Sequence, residues 1–212
     1  MKKIMSPIFL TLLLSFLTNM TVHAQMGKET LANKKITSVS SLFPRINGSF
    51  IGDPMPTYDN GEFNVFYLND IRGGGDLGVH AIHLLTSRDL YNFTNHSEVI
   101  PYINDLDNPE LLLGTGSMIK VGDTWHAWYT AHNQNVFPVE SVMHATSPDR
   151  IHWTKHPEDT LLPGDNYRGN DFRDPHVVWI PERAEYWMLI TTRSNGRGVI
   201  ARYSSKDLKH WQ

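Results

Sequence analysis

A chain of 212 residues with a formal net charge of −3 and no run of like charge carries no electrostatic footprint for nucleic acid or an anionic membrane surface. It contains no cysteine, which excludes disulfides and lipid attachment through a thiol and leaves stability to the core. Six Trp, eight Tyr and nine Phe beside fifteen Gly and twelve Pro, with little helical periodicity, point to an all-β protein whose aromatics are mostly core.

At the N-terminus, Lys2 and Lys3 precede a short apolar run, Ile8 to Leu17. Val22-His23-Ala24 then places small residues at the outer positions of a cleavage site. This pattern predicts a secretory signal peptide over residues 1–24, too short and wrongly flanked to span a membrane, and hence a periplasmic or extracellular mature chain. No later segment reaches 18 apolar residues, so no membrane contact is expected after cleavage. Residues 25–45 read as a polar lead-in, and the Asn-x-Ser/Thr triplets at Asn47 and Asn92 as chance matches.

From there the chain repeats itself about every 60 residues. Ser87-Arg88-Asp89-Leu90-Tyr91-Asn92-Phe93 returns as Ser147-Pro148-Asp149-Arg150-Ile151-His152-Trp153 and as Ser205-Lys206-Asp207-Leu208-Lys209-His210-Trp211. In the same phase, the aromatic strands Phe63–Tyr67, Trp125–Tyr129 and Tyr186–Ile190 each follow a turn. Upstream of each lies a polar strand start: Gly52-Asp53-Pro54, Gly114-Thr115-Gly116-Ser117, and Phe172-Arg173-Asp174-Pro175. Strand start, turn, aromatic strand, further strands and Ser-x-Asp turn make the cadence of one four-stranded propeller blade, where a β-sandwich would show no in-phase repeat of this length. Units begin near Ile51, Leu113 and Phe172, and three blades do not close a ring of the usual four to eight. Residues 46–212 are therefore expected to be the front part of a longer propeller.

In a propeller the first strand of each blade lines the central channel, so Asp53 and Asp174, in equivalent positions two units apart, are expected to converge on one mouth. The intervening unit is expected to place Thr115 to Ser117 there. Paired carboxylates in one funnel suit glycosidic bond hydrolysis, with its oxocarbenium-like transition state, so a carbohydrate substrate is expected.

These residues resemble a known pattern. Gly52-Asp53-Pro54-Met55-Pro56 followed by Phe63-Asn64-Val65-Phe66-Tyr67 is similar to the opening motif of glycoside hydrolase family 32, the invertases, levanases and inulinases. Phe172-Arg173-Asp174-Pro175 resembles its Arg-Asp-Pro motif, Gly116-Ser117 its Ser-Gly-Ser motif, and Val79-His80-Ala81 to Leu90 its Trp-Gly-His-Ala-x-Ser-x-Asp-Leu element. The resemblance implies a five-bladed β-propeller, of which about three blades lie in this chain, and a retaining hydrolase acting on sucrose, levan or inulin. It implies Asp53 as nucleophile, Asp174 as transition-state stabiliser, Arg173 as the charge partner holding Asp174 ionised, and Gly116, Ser117 and Phe172 at the substrate. No metal or cofactor is implied.

The chain departs from the family at Gly52, where Asn is usual, at Met55-Pro56 in place of Asn-Gly, and at Leu68 in place of Gln. The family's acid/base Glu, in a Glu-Cys motif about one blade beyond Arg-Asp-Pro, has no counterpart here, so these residues alone are expected to lack useful hydrolytic activity. Glu110, Glu140, Glu158, Glu182 and Glu185 are out of phase and read as surface residues. His80 and His83 fall on opposite strand faces, unsuited to chelation. His132, His144 and His176 read as structural, Trp125, Trp153 and Trp187 as blade anchors, and Asp70 to Asp76, with three glycines, as a loop near the mouth. Two other readings stay open: an arabinan- or xylan-type five-bladed hydrolase or glycoside phosphorylase, and a non-catalytic glycan-binding propeller remnant.

Overall fold

The computed structural model describes residues 50–70 and 80–212. The predicted signal peptide, the lead-in and nearly all of the glycine loop after Asp70 lie outside the described residues.

Three antiparallel sheets follow one another along the chain. The first joins β1 (Phe50–Asp59), β2 (Glu62–Asp70), β3 (Ile82–Ser87) and β4 (Thr94–Ile100) in that spatial order. A helical turn, Pro109–Leu111, leads into the second sheet: β5 (Leu112–Val121), β6 (Thr124–His132), β7 (Glu140–Ser147) and the short β8 (Thr154–Lys155). The third comprises β9 (Phe172–Ile180), β10 (Glu185–Ser194) and β11 (Arg197–Ser205). Among the described residues helix is confined to two short turns, the second at Pro157–Asp159. Each sheet is a meander whose neighbours in sequence are neighbours in space, as in a propeller blade. The aromatic runs that the repeat marks are β2, β6 and β10, the second strand of every sheet.

Local chemistry explains the corners. Asn60-Gly61 and Asn195-Gly196 both adopt positive φ at both residues (50° and 78°; 51° and 75°), the geometry of a type I′ hairpin, which Asn-Gly tolerates best. The Ser-x-Asp repeat is a self-contained turn. Ser87 Oγ accepts the N–H groups of Asp89 and Leu90 at 3.2 and 2.8 Å, and Asp89 Oδ1 accepts those of Tyr91 and Asn92 at 2.9 and 2.8 Å. Asp149 and Asp207 do the same in their units, and Leu90, Arg150 and Leu208 all take positive φ at the corner. Two backbone donors on each carboxylate hold Asp89, Asp149 and Asp207 well below the usual range.

The sheets stack face to face through two cores. One buries Phe66, Leu84 and Ile100 of the first sheet against Leu113, Ala127 and Met143 of the second. The other buries Trp128 and Val142 against Phe172, Met188 and Ile190 of the third. The aromatics closing the second and third Ser-x-Asp turns reach back to the preceding sheet: Trp153 meets Phe66 edge-on at 6.0 Å, and Trp211 meets Trp128 at 5.8 Å. The first strands also gather together, β5 lying against both β1 and β9. That places the three polar strand starts at one end of the stack.

Candidate active site

Each first strand carries a β-bulge at the same place. Pairing of β1 with β2 passes from Gly52↔Leu68 to Met55↔Phe66, so Asp53 and Pro54 together oppose one residue. In the second sheet it passes from Leu113↔Ala131 to Gly116↔Tyr129, and in the third from Arg173↔Thr191 to His176↔Leu189. Asp53, Gly114 and Asp174 are thus structural equivalents, and the expected counterpart in the middle sheet, Thr115 to Ser117, is displaced by one to three residues. Asp53 and Asp174 take φ of 42° and 56°, the left-handed region that Asp enters at less cost than most residues. A bulge re-aims the side chain it carries, and here it turns both carboxylates out of the pleat to exposed positions.

The middle sheet bridges them. Thr115 Oγ1 donates to Asp53 Oδ2 at 2.7 Å, and Thr130 Oγ1 donates to the Thr115 carbonyl at 3.0 Å while accepting the Asp174 N–H at 2.9 Å. Thr130 was invisible as a site residue in the sequence, whereas Thr115, one of the residues expected at the mouth, lies within the bulge itself. The two carboxyls also feel each other. Crowding by surrounding protein, then the negative charges of Asp53 and Glu140, push the Asp174 carboxyl above its ordinary value, with Arg173 opposing. A carboxyl that holds its proton more tightly than usual, within reach of a second carboxylate's charge, is an arrangement suited to electrostatic chemistry on a polar substrate.

Several expected roles change. The Arg173 guanidinium does not bond to Asp174: Nη1 donates to Glu140 Oε1 at 2.7 Å and Nη2 to Asp171. Its charge favours ionised Asp174 but is outweighed by burial. Phe172, expected at the substrate, is wholly buried in the core between the second and third sheets. Ser117, also expected there, is buried and its Oγ accepts the Val177 N–H at 2.9 Å. Gly116 is packed so closely that a Cβ would lie 1.9 Å from the Trp128 carbonyl oxygen, so its lack of a side chain serves sheet pairing. These three belong to the packing beneath the site: Gly116 and Ser117 follow the bulge of β5, and Phe172 precedes that of β9.

Glu110 and Glu140, expected at the surface, are buried at 4% and 1% exposure. Glu110 accepts from Tyr129 Oη at 2.7 Å and pairs with Lys155 at 2.9 Å. Glu158 and Glu182 are exposed as expected, and Glu185 accepts from Trp187 Nε1. His132 pairs with Glu140 at 3.2 Å, His144 lies stacked on Trp128, and His176 is exposed beside the bulge. Among the described residues, no group of three His, Asp or Glu side chains is placed to hold a metal ion. An open groove of about 510 Å³ lined by Thr57, Asp59, Lys120 and Trp125 sits at the far ends of β1 and β5, away from the carboxylates.

The profile of the glycosyl hydrolases family 32 N-terminal domain matches residues 47–212. The chain belongs to glycosyl hydrolase family 32. Among curated relatives, the β-fructofuranosidase insoluble isoenzyme CWINV4 of Arabidopsis thaliana is 25% identical over 183 residues, covering 76% of this chain and 28% of that protein. Sucrose-6-phosphate hydrolase from Lactobacillus gasseri superposes with a TM-score of 0.65 at 24% identity, over 76% of this chain and 33% of that one. Fructan 1-exohydrolase IIa from Cichorium intybus gives 0.67 at 20% identity, over 80% and 32%. The chain spans about a third of the length of the curated relatives it matches.

Proposed function

We propose that this chain is the N-terminal part of an exported, retaining β-fructosidase, with Asp53 as the nucleophile on the anomeric carbon of a fructosyl unit. Asp174 binds hydroxyls of that ring and stabilises positive charge in the transition state, and Arg173 supports it. The carboxylic acid that protonates the leaving oxygen comes from outside these residues, and the sheets described are three blades of a five-bladed ring. The observation that carries the reading is the pair of carboxylates on identical bulges, bridged through Thr115 and Thr130. Supporting it are the membership in family 32 and the relatives' names, among them β-fructofuranosidase, sucrose-6-phosphate hydrolase and fructan 1-exohydrolase. Export is supported by the Lys2-Lys3 and apolar N-terminal pattern and by the insoluble, cell-wall isoenzymes among the relatives.

The steps balance without a metal: the Asp53 carboxylate attacks the anomeric carbon as the glycosidic C–O bond breaks, the leaving oxygen takes the outside acid's proton, and water then hydrolyses the glycosyl ester to free Asp53. The test is fructose release from sucrose, levan and inulin. The 212-residue chain is expected to show no enzyme-like turnover, because loss of general-acid help alone costs about 10²–10⁴-fold. In the protein carrying the acid, Asp53→Ala is expected to lower kcat about a thousandfold or more. Full activity in that variant would remove the assignment.

A further inference from the structure

Arg173 and Asp174 are adjacent and oppositely charged, yet the guanidinium is turned away. It is held from two sides, by Glu140 on β7 of the neighbouring sheet and by Asp171, whose other oxygen takes Arg193 Nε at 2.5 Å. Glu140 is itself fixed: Oε2 accepts the Phe172 N–H at 2.7 Å, and Oε1 meets His132 Nδ1 at 3.2 Å. Burial works against its charge, but the bonds from His132 and Phe172 and the Arg173 charge prevail and hold the carboxyl below its ordinary range. Nothing in the mechanism above uses this buried carboxylate, and two of its partners, the Phe172 N–H and the Arg173 guanidinium, belong to the residues just before Asp174.

We propose that Glu140 is a positioning residue for Asp174: by clamping the Arg173 guanidinium from the next sheet, it stops Arg173 closing on Asp174 and leaves both Asp174 oxygens open to ligand hydroxyls. The ligand half of this rests on the sugar-binding role given to Asp174; the clamp does not. The Thr130 hydroxyl holds only the backbone N–H of Asp174, and the charges acting on its carboxyl are those of Arg173, Asp53 and Glu140. Arg173 is therefore the one cation among them, and where it points decides how much of Asp174 is free.

The test is a carboxyl-carbon NMR titration of Asp174 in the 212-residue chain, assigned through Asp174→Asn. Glu140→Gln keeps an acceptor for the Phe172 N–H but leaves Asp171 as the one carboxylate holding Arg173 away, so the Asp174 midpoint is expected to fall by about one pH unit or more. In an Arg173→Gln background the same Glu140→Gln change is expected to move it much less, since only the Glu140 charge is then lost. Glu140→Asp, which keeps the charge and shortens the reach, is expected to give a smaller fall, and Arg193→Gln none. An unchanged midpoint in both Glu140 variants, or an equal fall with and without Arg173, would overturn the clamp. Added fructose separates the two layers: no shift of Asp174 in the wild type sinks the sugar reading, while the midpoints judge the clamp independently.

Discussion

A methyl group at Gly116 would sit 1.9 Å from the Trp128 carbonyl oxygen and 2.6 Å from the Tyr129 Cα, both backbone atoms of the paired strand. Neither atom can rotate away, so β5 must part from β6 immediately after the bulge that carries Thr115. Gly122 offers the contrast: its φ of 60° is left-handed, but a Cβ there meets nothing within 4 Å. Gly122→Ala should therefore cost about 1 kcal/mol from backbone conformation alone, and Gly116→Ala about 2–3 kcal/mol from overpacking. Thermal melts of the two variants check the order, and equal melting points would contradict it. The resemblance of Gly116-Ser117 to a sugar-contacting motif hid this, because a motif records residue types and not which side of a bulge they face. Glu110 and Glu140 were illegible for a related reason. A carboxylate is buried only when donors from elsewhere in the fold meet it, and Tyr129, Lys155, Arg173 and the Phe172 N–H are brought in by other elements.

Between elements, the repeat was legible in detail because each unit solves the same packing problem with the same residues. The pairing of Thr86 Oγ1 with His96 Nε2 at 3.0 Å recurs as Thr146 with His156 at 2.7 Å, one unit on. The register of bulges was only half legible: the phase of Asp53 and Asp174 follows from spacing, but which residue of Gly114-Thr115-Gly116-Ser117 matches them depends on where two residues oppose one. The backward reach of the closing aromatic was not legible at all, since Trp153 and Phe66 are far apart in the chain. Trp153 also ties its own turn, donating Nε1–H to the Arg150 carbonyl at 2.8 Å, while Arg150 crosses to Glu62 at 2.9 Å. Trp153→Ala should thus cost about 3–5 kcal/mol, and a cycle with Phe66→Leu should show about 0.5–1.5 kcal/mol of coupling for the edge-on ring pair. Urea unfolding of the four proteins measures this; strict additivity would mean that the two rings merely share a core.

For the molecule as a whole, the stacked imidazoles of the middle sheet should set its response to mild acid. His126 Nδ1 lies 3.0 Å from His144 Nε2, His144 Nδ1 lies 2.7 Å from Asp159 Oδ2, and both rings lie nearly parallel to Trp128. With His144 donating to Asp159, its Nε2 has a lone pair to accept from His126, so the stack is built for neutral rings. Burial, and then the neighbouring His144 and His156, lower the His126 pKa to about 4; burial also lowers that of His144, against the pull of Asp159. An unfolded histidine titrates near 6.5, so between about 6.5 and 4 the unfolded chain binds a proton that the folded one refuses. Folding stability should be flat above about pH 7, fall as pH drops through that window by up to about 1.4 kcal/mol per unit for His126, and stop falling on this account below about pH 4. The depressed carboxylates of the Ser-x-Asp turns act only at lower pH, so their loss does not overlap. Urea midpoints at pH 7.5 and 5 should therefore differ in the wild type and differ less in His126→Gln. A variant with the same difference as the wild type would mean that the stack tolerates its proton and that the acid response arises elsewhere.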